Sequence, residues 1–324
     1  MNILTLLGIT VVAAYYMGHA AKKLRLPSLI GYMILGVVLG SSVLGFFNEE
    51  IIEHLGFINE IALGFVAFSI GIELSMSSLK RLGSGIISII FVESFAAFFV
   101  VLAAIYALTR DLPMALIFAA MAPASAPAGT VAVIHECKAK GSLTKALYAV
   151  VGFDDGLAII IFGFAAAIAK SLLVNEASGA HVSILPGLLE ALKEIGLSVL
   201  AGSIIGFVFC NLVRFVRDKR DMIVLTFAAV LIAIGCSTQW HLSLILTNMI
   251  IGVVLINTRK KELAEKVSSQ LLIVMPLLFI LFFSLAGAHL NLAALPSLGV
   301  IGIVYIAGRS IGLIGGARIG GQFG

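Results

Sequence analysis

The chain has 324 residues, 60% of them hydrophobic and 12% charged, with a mean hydropathy of +1.14. A water-soluble domain of this size cannot hide so much apolar surface, so the composition indicates a polytopic membrane protein and excludes an ordinary soluble enzyme. The formal net charge of +4 comes from lysines and arginines between apolar runs, without the exposed aromatics that accompany a nucleic-acid surface, so no nucleic-acid partner is expected.

The apolar runs are about 20 residues long, which suits helices and not the strict alternation of a membrane barrel; the expected fold class is all-α. Hydropathy and charged breaks mark eleven spans, at roughly 2–18, 28–45, 61–79, 86–108, 115–136, 146–169, 188–213, 222–239, 242–257, 270–290 and 297–317. The first run lacks a basic leader and a small-residue cleavage site, so it reads as a span and not as a removable signal. Alternate connections carry Lys22, Lys23 and Arg25; Lys80 and Arg81; Lys138, Lys140 and Lys145; Arg214, Arg217, Lys219 and Arg220; and Arg259, Lys260, Lys261 and Lys266. The intervening ones hold only Arg110 and Lys170. The positive-inside rule then puts the N-terminus outside and residue 324 in the cytoplasm, in a multi-pass protein of the cell (inner) membrane. Neither Cys137, Cys210 and Cys236 nor the six histidines show disulfide or metal-ligand spacing.

Two stretches carry chemistry. The fifth span contains residues 122–130, Ala-Pro-Ala-Ser-Ala-Pro-Ala-Gly-Thr. Pro123 and Pro127 remove amide donors and clash with carbonyls one turn back, so the helix opens mid-membrane and frees backbone carbonyls beside the Ser125 and Thr130 hydroxyls. Oxygen donors at a broken helix are where secondary transporters bind hard monovalent cations. The sixth span follows with Asp154 and Asp155 in an apolar setting. From an entry near Ala146, about nine residues at about 1.5 Å each place the pair about 13 Å deep, near the midplane of a bilayer about 30 Å thick. An acid there is costly unless paired, protonated or wetted, and is a functional-site candidate by default. Neighbouring helical residues point about 100° apart, so one acid lines a cavity while the other meets a neighbouring helix. Desolvation disfavours the charged form, so such an acid holds either a proton or a cation at cellular pH.

Other polar residues have blander readings beside functional ones. Glu73 is a snorkelling acid at the basic end or a functional one, and Glu93 pairs with a basic group or lines a funnel. Thr247 and Asn248 serve as interhelical glue, and Gly36, Gly40, Gly312, Gly315 and Gly316 allow close helix packing.

Several stretches resemble the membrane domain of the monovalent cation:proton antiporters, in the Kef-type and bacterial Na⁺/H⁺ exchanger branch: Leu26 to Tyr32 with Gly36 and Gly40, Ile70 to Leu74 with Leu79 to Arg81, Ser125 to Val133, Gly152 to Gly156, and Phe282 to Ala288. The resemblance implies an inverted-repeat fold with broken crossing helices, of which this chain holds about eleven of about thirteen helices and looks C-terminally truncated. It further implies a single transporter domain over 1–324, with scaffold helices in about 1–60 and 188–257 and core helices in about 61–173 and 270–324, assembled as a homodimer. Asp155 is then the residue binding Na⁺ or K⁺ and the proton, Asp154 its partner, Ser125 and Thr130 line the crossing point, and Pro123 and Pro127 shape it. Arg309 stands one turn before the place where relatives often carry a lysine, and pairs with Asp154 or, alternatively, Glu93. The implied activity is alternating-access exchange of a monovalent cation (Na⁺, K⁺ or Li⁺) for protons, without a cofactor and without enzymatic chemistry. A cation channel or a glutathione-gated type of K⁺ efflux protein fits the same features. An intramembrane aspartyl protease fits less well, because its two acids come from different helices.

Overall fold

The computed structural model describes residues 2–178, 185–216 and 218–322, so Arg217 and residue 324 lie outside it, as do the side chains of Lys80, Arg81 and Lys219. It is all-helical: α1 (Ile3–Lys23), α2 (Ser28–Leu39), α3 (Glu49–His54), α4 (Gly56–Glu73), α5 (Met76–Thr109), α6 (Leu112–Met121), α7 (Pro127–Cys137), α8 (Ser142–Ser178), α9 (Leu185–Val213), α10 (Lys219–Gln239), α11 (Leu244–Thr258), α12 (Lys261–Ala288) and, after a 3₁₀ turn, α13 (Leu295–Gly320). Among the described residues eight helices are long and apolar enough to cross a membrane, and α2, α6 and α11 are shorter apolar ones. Each expected span has its helix, with the fifth split into α6 and α7. Large apolar side chains such as Leu4, Ile303 and Ile314 are 77%, 70% and 72% exposed on the outside of the bundle, the arrangement that lipid favours and water forbids.

Several helices run past the apolar windows into charged sequence. α12 begins at Lys261, nine residues before the expected boundary near 270, because Lys261, Glu262, Glu265 and Lys266 are good helix formers and Lys261 pairs with Glu265 at 3.3 Å across one turn. α5 begins at Met76, so Lys80 and Arg81, expected in a loop, lie in its first turns. A side chain from α11 replaces the loop: Asn257 accepts from the Met76 amide at 2.8 Å and donates to the Leu74 carbonyl at 3.2 Å, capping α4 and α5 together. At Gly299 α13 turns through φ 47°, ψ −136°, a conformation open to glycine and costly for other residues.

Glycine faces decide which helices touch. The backbone of α2 at Gly36 and Gly40 lies against Ser284 and Ala288 of α12, and Gly71 of α4 against Met249 and Gly252 of α11, too close for any side chain. These contacts join α1, α2, α4, α9, α10, α11 and α12 around a phenylalanine-rich core that includes Phe65, Phe68, Phe279 and Phe283. α5, α6, α8 and α13 form a second group whose core is small, built on Ala97, Ala115, Ala119, Ala120 and Ala165. By packing, α4 and α12 fall in the first group, and Ile86, Ile90, Ala128, Val131, Tyr148 and Val151 of α5, α7 and α8 join the same core. α13 rests on α5 through Gly308, Gly312, Gly316 and Gly320, spaced at one turn, with Gly316 on the backbone of Glu93. Gly315, one position off that stripe, meets nothing within 4 Å.

Candidate ion-binding site

The break in the fifth span has a local cause. Asp111 caps α6 by accepting from the Met114 amide at 2.9 Å, and the helix ends at Met121 where Pro123 approaches. Pro127 then keeps Ala126 out of the helical region (φ −100°, ψ 89°) and starts α7 in the first-turn position that suits a residue without an amide hydrogen. Residues 122–126 are consequently non-helical and Ser125 lies within them, while Thr130 belongs to the first turn of α7.

Asp154 on α8 faces this break. It is 2% exposed and is surrounded by the Glu93 carboxyl and Ser94 hydroxyl of α5, the Ser125 hydroxyl and its neighbour Asp155. Glu93 is 7% exposed and Ser94 is fully buried. The hydroxyls of Ser94 and Ser125 are within reach of Asp154 but neither attains hydrogen-bond geometry, and the buried Asp154 Oδ1 and Asp155 Oδ2 have no donor. Thr130 is not among the groups facing Asp154. Two acids and two hydroxyls thus converge, with Asp155 next to them in the chain, and leave oxygens to spare, a set able to accept a proton or a hard cation.

The two aspartates point apart, as adjacent helical residues must. Asp155 lines a cleft of about 860 Å³ between α6, α8, α9 and the start of α11, whose wall includes Ala124, Phe162, Lys170, Glu190, Glu194 and Ser243. Lys170 is fifteen residues beyond Asp155 on α8, about 22 Å along the helix, so the cleft opens at the end of the bundle away from the basic connections.

Arg309 does not pair with either acid. Its Nε donates to the Ala122 carbonyl at 2.9 Å and its Nη2 to the Ala124 carbonyl at 2.6 Å. The glycine stripe sets α13 against α5, and Arg309, adjacent to Gly308 in that stripe, reaches the frayed end of α6, where unsatisfied carbonyls carry the negative end of the helix dipole. Two of the carbonyls expected to be free are therefore occupied by a guanidinium. Among the described residues the ion pairs are Lys22 with Glu136 and Lys261 with Glu265, at 3.5 and 3.3 Å. Glu73 closes α4 among Lys145, Tyr148 and Lys261, apart from the acid cluster.

Sequence reasoning missed Ser94, the capping role of Glu136, and the engagement of the break's carbonyls by Arg309. Ser94 had one visible signal, a small polar residue next to an intramembrane acid. The carbonyls of Ala122 and Ala124 carry no side-chain signal at all. Glu136 ends α7 and reaches back 108 residues to the start of α2, a contact no local pattern announces.

Known proteins share this fold. The sodium proton antiporter MjNhaP1 of Methanocaldococcus jannaschii superposes in two structures, with TM-scores of 0.73 and 0.77, over 97% and 99% of this chain and 78% of that one at 16% identity, a likeness of fold. In sequence, the Na⁺/H⁺ antiporter NhaG of Bacillus atrophaeus is 26% identical over 205 residues, 61% of this chain and 38% of that protein. The Na⁺/H⁺ antiporter NhaH of Halobacillus aidingensis is 26% identical over 226 residues, 67% and 54% of the two chains, so this chain spans about half or less of the relatives it matches. The model of the transmembrane sodium/hydrogen exchanger family matches residues 7–321, which takes in every helix of the acid cluster and the break it faces: the chain belongs to the sodium/hydrogen exchanger family.

Proposed function

We propose that the chain exchanges a monovalent cation, Na⁺ or K⁺, for protons by alternating access, with the two cargoes competing for Asp155. The observation that carries this reading is the placement of Asp155 at the head of an open cleft, next to a buried acid cluster with unpartnered oxygens. A carboxylate in low dielectric is stable only with a proton or a counter-ion, so each cargo displaces the other, and an uncharged carboxyl or a cation–carboxylate pair crosses the barrier more readily than a bare anion. Asp154 and Ser125 complete the oxygen shell on the bundle side. Thr130 supports the first turn of α7 and Arg309 holds the break open by satisfying its carbonyls.

In this reading α5, α6, α7, α8 and α13 move as the transporting body against the glycine-locked group of α1, α2, α4 and α9 to α12. The two meet where α8 packs on α9, α4 and α11 and where α7 packs on α4 and α2, so these are the contacts that rocking would have to slide or break. The basic connections lie in the cytoplasm by the positive-inside rule, so the N-terminus is outside, the cleft faces outward and the protein resides in the cell membrane. The apolar outer face of the first group suits a homodimer contact. Reconstituting the chain in liposomes with a trapped pH dye tests the activity: a cation gradient should drive opposite proton movement, and Asp155→Asn, which keeps the volume and removes the exchangeable proton, should abolish it in a protein that still folds. Persistent exchange in the Asn variant would overturn the role of Asp155, and cation flux uncoupled from protons would establish a channel.

A further inference from the structure

The chain passes between the first helical group and the proposed transporting body three times: between α4 and α5, between α8 and α9, and between α12 and α13. The crossing after α8 includes residues 179–184, outside those described. Each of the other two is bridged by one polar side chain of the first group. Asn257 of α11 donates through Nδ2 to the Leu74 carbonyl at 3.2 Å and accepts at Oδ1 from the Met76 amide at 2.8 Å. A further bond from Nδ2 to the Val253 carbonyl at 2.8 Å holds it to its own helix. Ser42 donates to the Leu290 carbonyl at 2.6 Å and accepts from the Leu292 amide at 3.0 Å. It stands in the loop after α2, where Gly40 rests on Ala288 and Phe47 is buried with Leu6 and Leu285, so it too is fixed to the first group. Both bridges tie the carbonyl of one residue to the amide two places on, at 74 and 76 and at 290 and 292.

The bridges lie at opposite ends of α12. Asn257 comes shortly before Lys261, where this helix of 28 residues begins, and Leu290 shortly after Ala288, where it ends. Such a helix is about 42 Å long, more than the about 30 Å of a bilayer's apolar core. A connection held by a fixed side chain cannot shift at that point, while the helix beyond it can still change direction. On the α13 side, the break at Gly299 falls between the Leu292 bridge and the glycine stripe that rests on α5.

We infer that Asn257 and Ser42 are pivots: the transporting body turns about an axis through the two bridged crossings, along α12, and neither bridge opens during the cycle. The inference rests on the exchange reading above. The axis sorts the contacts between the two bodies by how far they travel. α7 lies against α12, with the His135 and Phe279 rings 6.2 Å apart and Ser28, Glu136 and Met275 around one cavity of about 220 Å³. It therefore turns with little displacement, and the Glu136 contact to Ser28 survives the motion. α8 packs on α5, α6 and α9, and Lys170 and Glu190 stand on the α8 and α9 walls of the cleft. That cleft takes up the larger movement.

Two measurements test the axis. Hydrogen exchange read by mass spectrometry on the reconstituted chain should find the Met76 and Leu292 amides protected alike in saturating sodium and in sodium-free buffer. The first should lose its protection in Asn257→Leu and the second in Ser42→Ala. Loss in the unaltered chain in either buffer would overturn the inference. The second measurement uses a chain with Cys137, Cys210 and Cys236 replaced by alanine. Cysteine pairs Asn257→Cys with Met76→Cys, Ser42→Cys with Leu292→Cys, and Lys170→Cys with Glu190→Cys are each joined by the shortest bifunctional thiol reagent that links them. A link across a bridge makes the pivot covalent, so cation-driven proton movement should persist in both; a link across the cleft should stop it. Arrest by either bridge link, or undiminished exchange with the cleft linked, would overturn the axis. Protected amides in a chain that fails to exchange before any linkage would instead overturn the exchange reading and leave the closed bridges in place.

Discussion

Two carboxyl sites on either side of α7 have opposite surroundings. At its C-terminal end the Glu136 carboxylate accepts from the Ser28 amide at 3.0 and 3.3 Å and from the Ser28 hydroxyl at 3.0 Å, with Lys22 at 3.5 Å. It thereby caps α2, whose N-cap is Pro27 and supplies no side chain of its own. Past its N-terminal end, Asp154 meets a second acid and two hydroxyls that fall short of hydrogen-bond geometry. A backbone amide at a helix N-terminus, a hydroxyl and an ammonium occupy the Glu136 oxygens, so it serves as structure. The Asp154–Asp155 cluster lacks a full complement of donors, which is the property that the proposed exchange uses. Burial is common to both sites; the supply of fixed donors separates them.

Moving donors from one region to the other breaks that contrast, and Arg309 is the most sensitive place to try. Arg309→Met leaves the Ala122 and Ala124 carbonyls without their charged donor, and charge-assisted bonds of this kind are worth about 1.5–3 kcal/mol each. The expected result is a clear fall in the unfolding midpoint in detergent together with loss of exchange, while Arg309→Lys, able to keep one bond, falls between. An Arg309→Met protein with wild-type stability and rate would remove the guanidinium from the account of the break.

Glu136→Ala tests the structural side. Lys22 is half exposed, so the ion pair itself is screened and contributes little. The lost cap accounts for most of an expected destabilisation of about 1–2 kcal/mol. Cation half-saturation should stay unchanged, and a severalfold change in it would mean that the far end of α7 senses the cargo. The smallest effect belongs to Ser125→Ala, which removes one oxygen ligand of several. Apparent cation affinity should weaken by about threefold to tenfold with maximal rate and thermal midpoint nearly constant, consistent with the loss of one modest polar contact of about 1 kcal/mol. An unaltered half-saturation constant would leave cation binding to the carboxyls alone.

The sequence by itself determined the helical class, the eleven apolar segments, a break within residues 122–130 and the setting of Asp154 and Asp155 in an apolar run. All of these follow from local physics: hydropathy reports what lipid tolerates, proline removes an amide wherever it stands, and a carboxyl in an apolar run is costly in any context. Only the tertiary structure decided the partners. Arg309 was legible as a buried cation, but its choice of carbonyls over Asp154 depends on the glycine stripe that sets the rotation of α13 on α5. Glu93 was legible as a buried acid, but its meeting with Asp154 depends on the packing of α5 against α8. Likewise Asn257 and Glu136 cap helices far away in sequence, and the charged turns of α5 and α12 become helix because distant or neighbouring side chains satisfy them. Hydropathy averages over a whole turn and is blind to rotation about the helix axis. Which polar group meets which is set by that rotation, and side chains of other helices fix it.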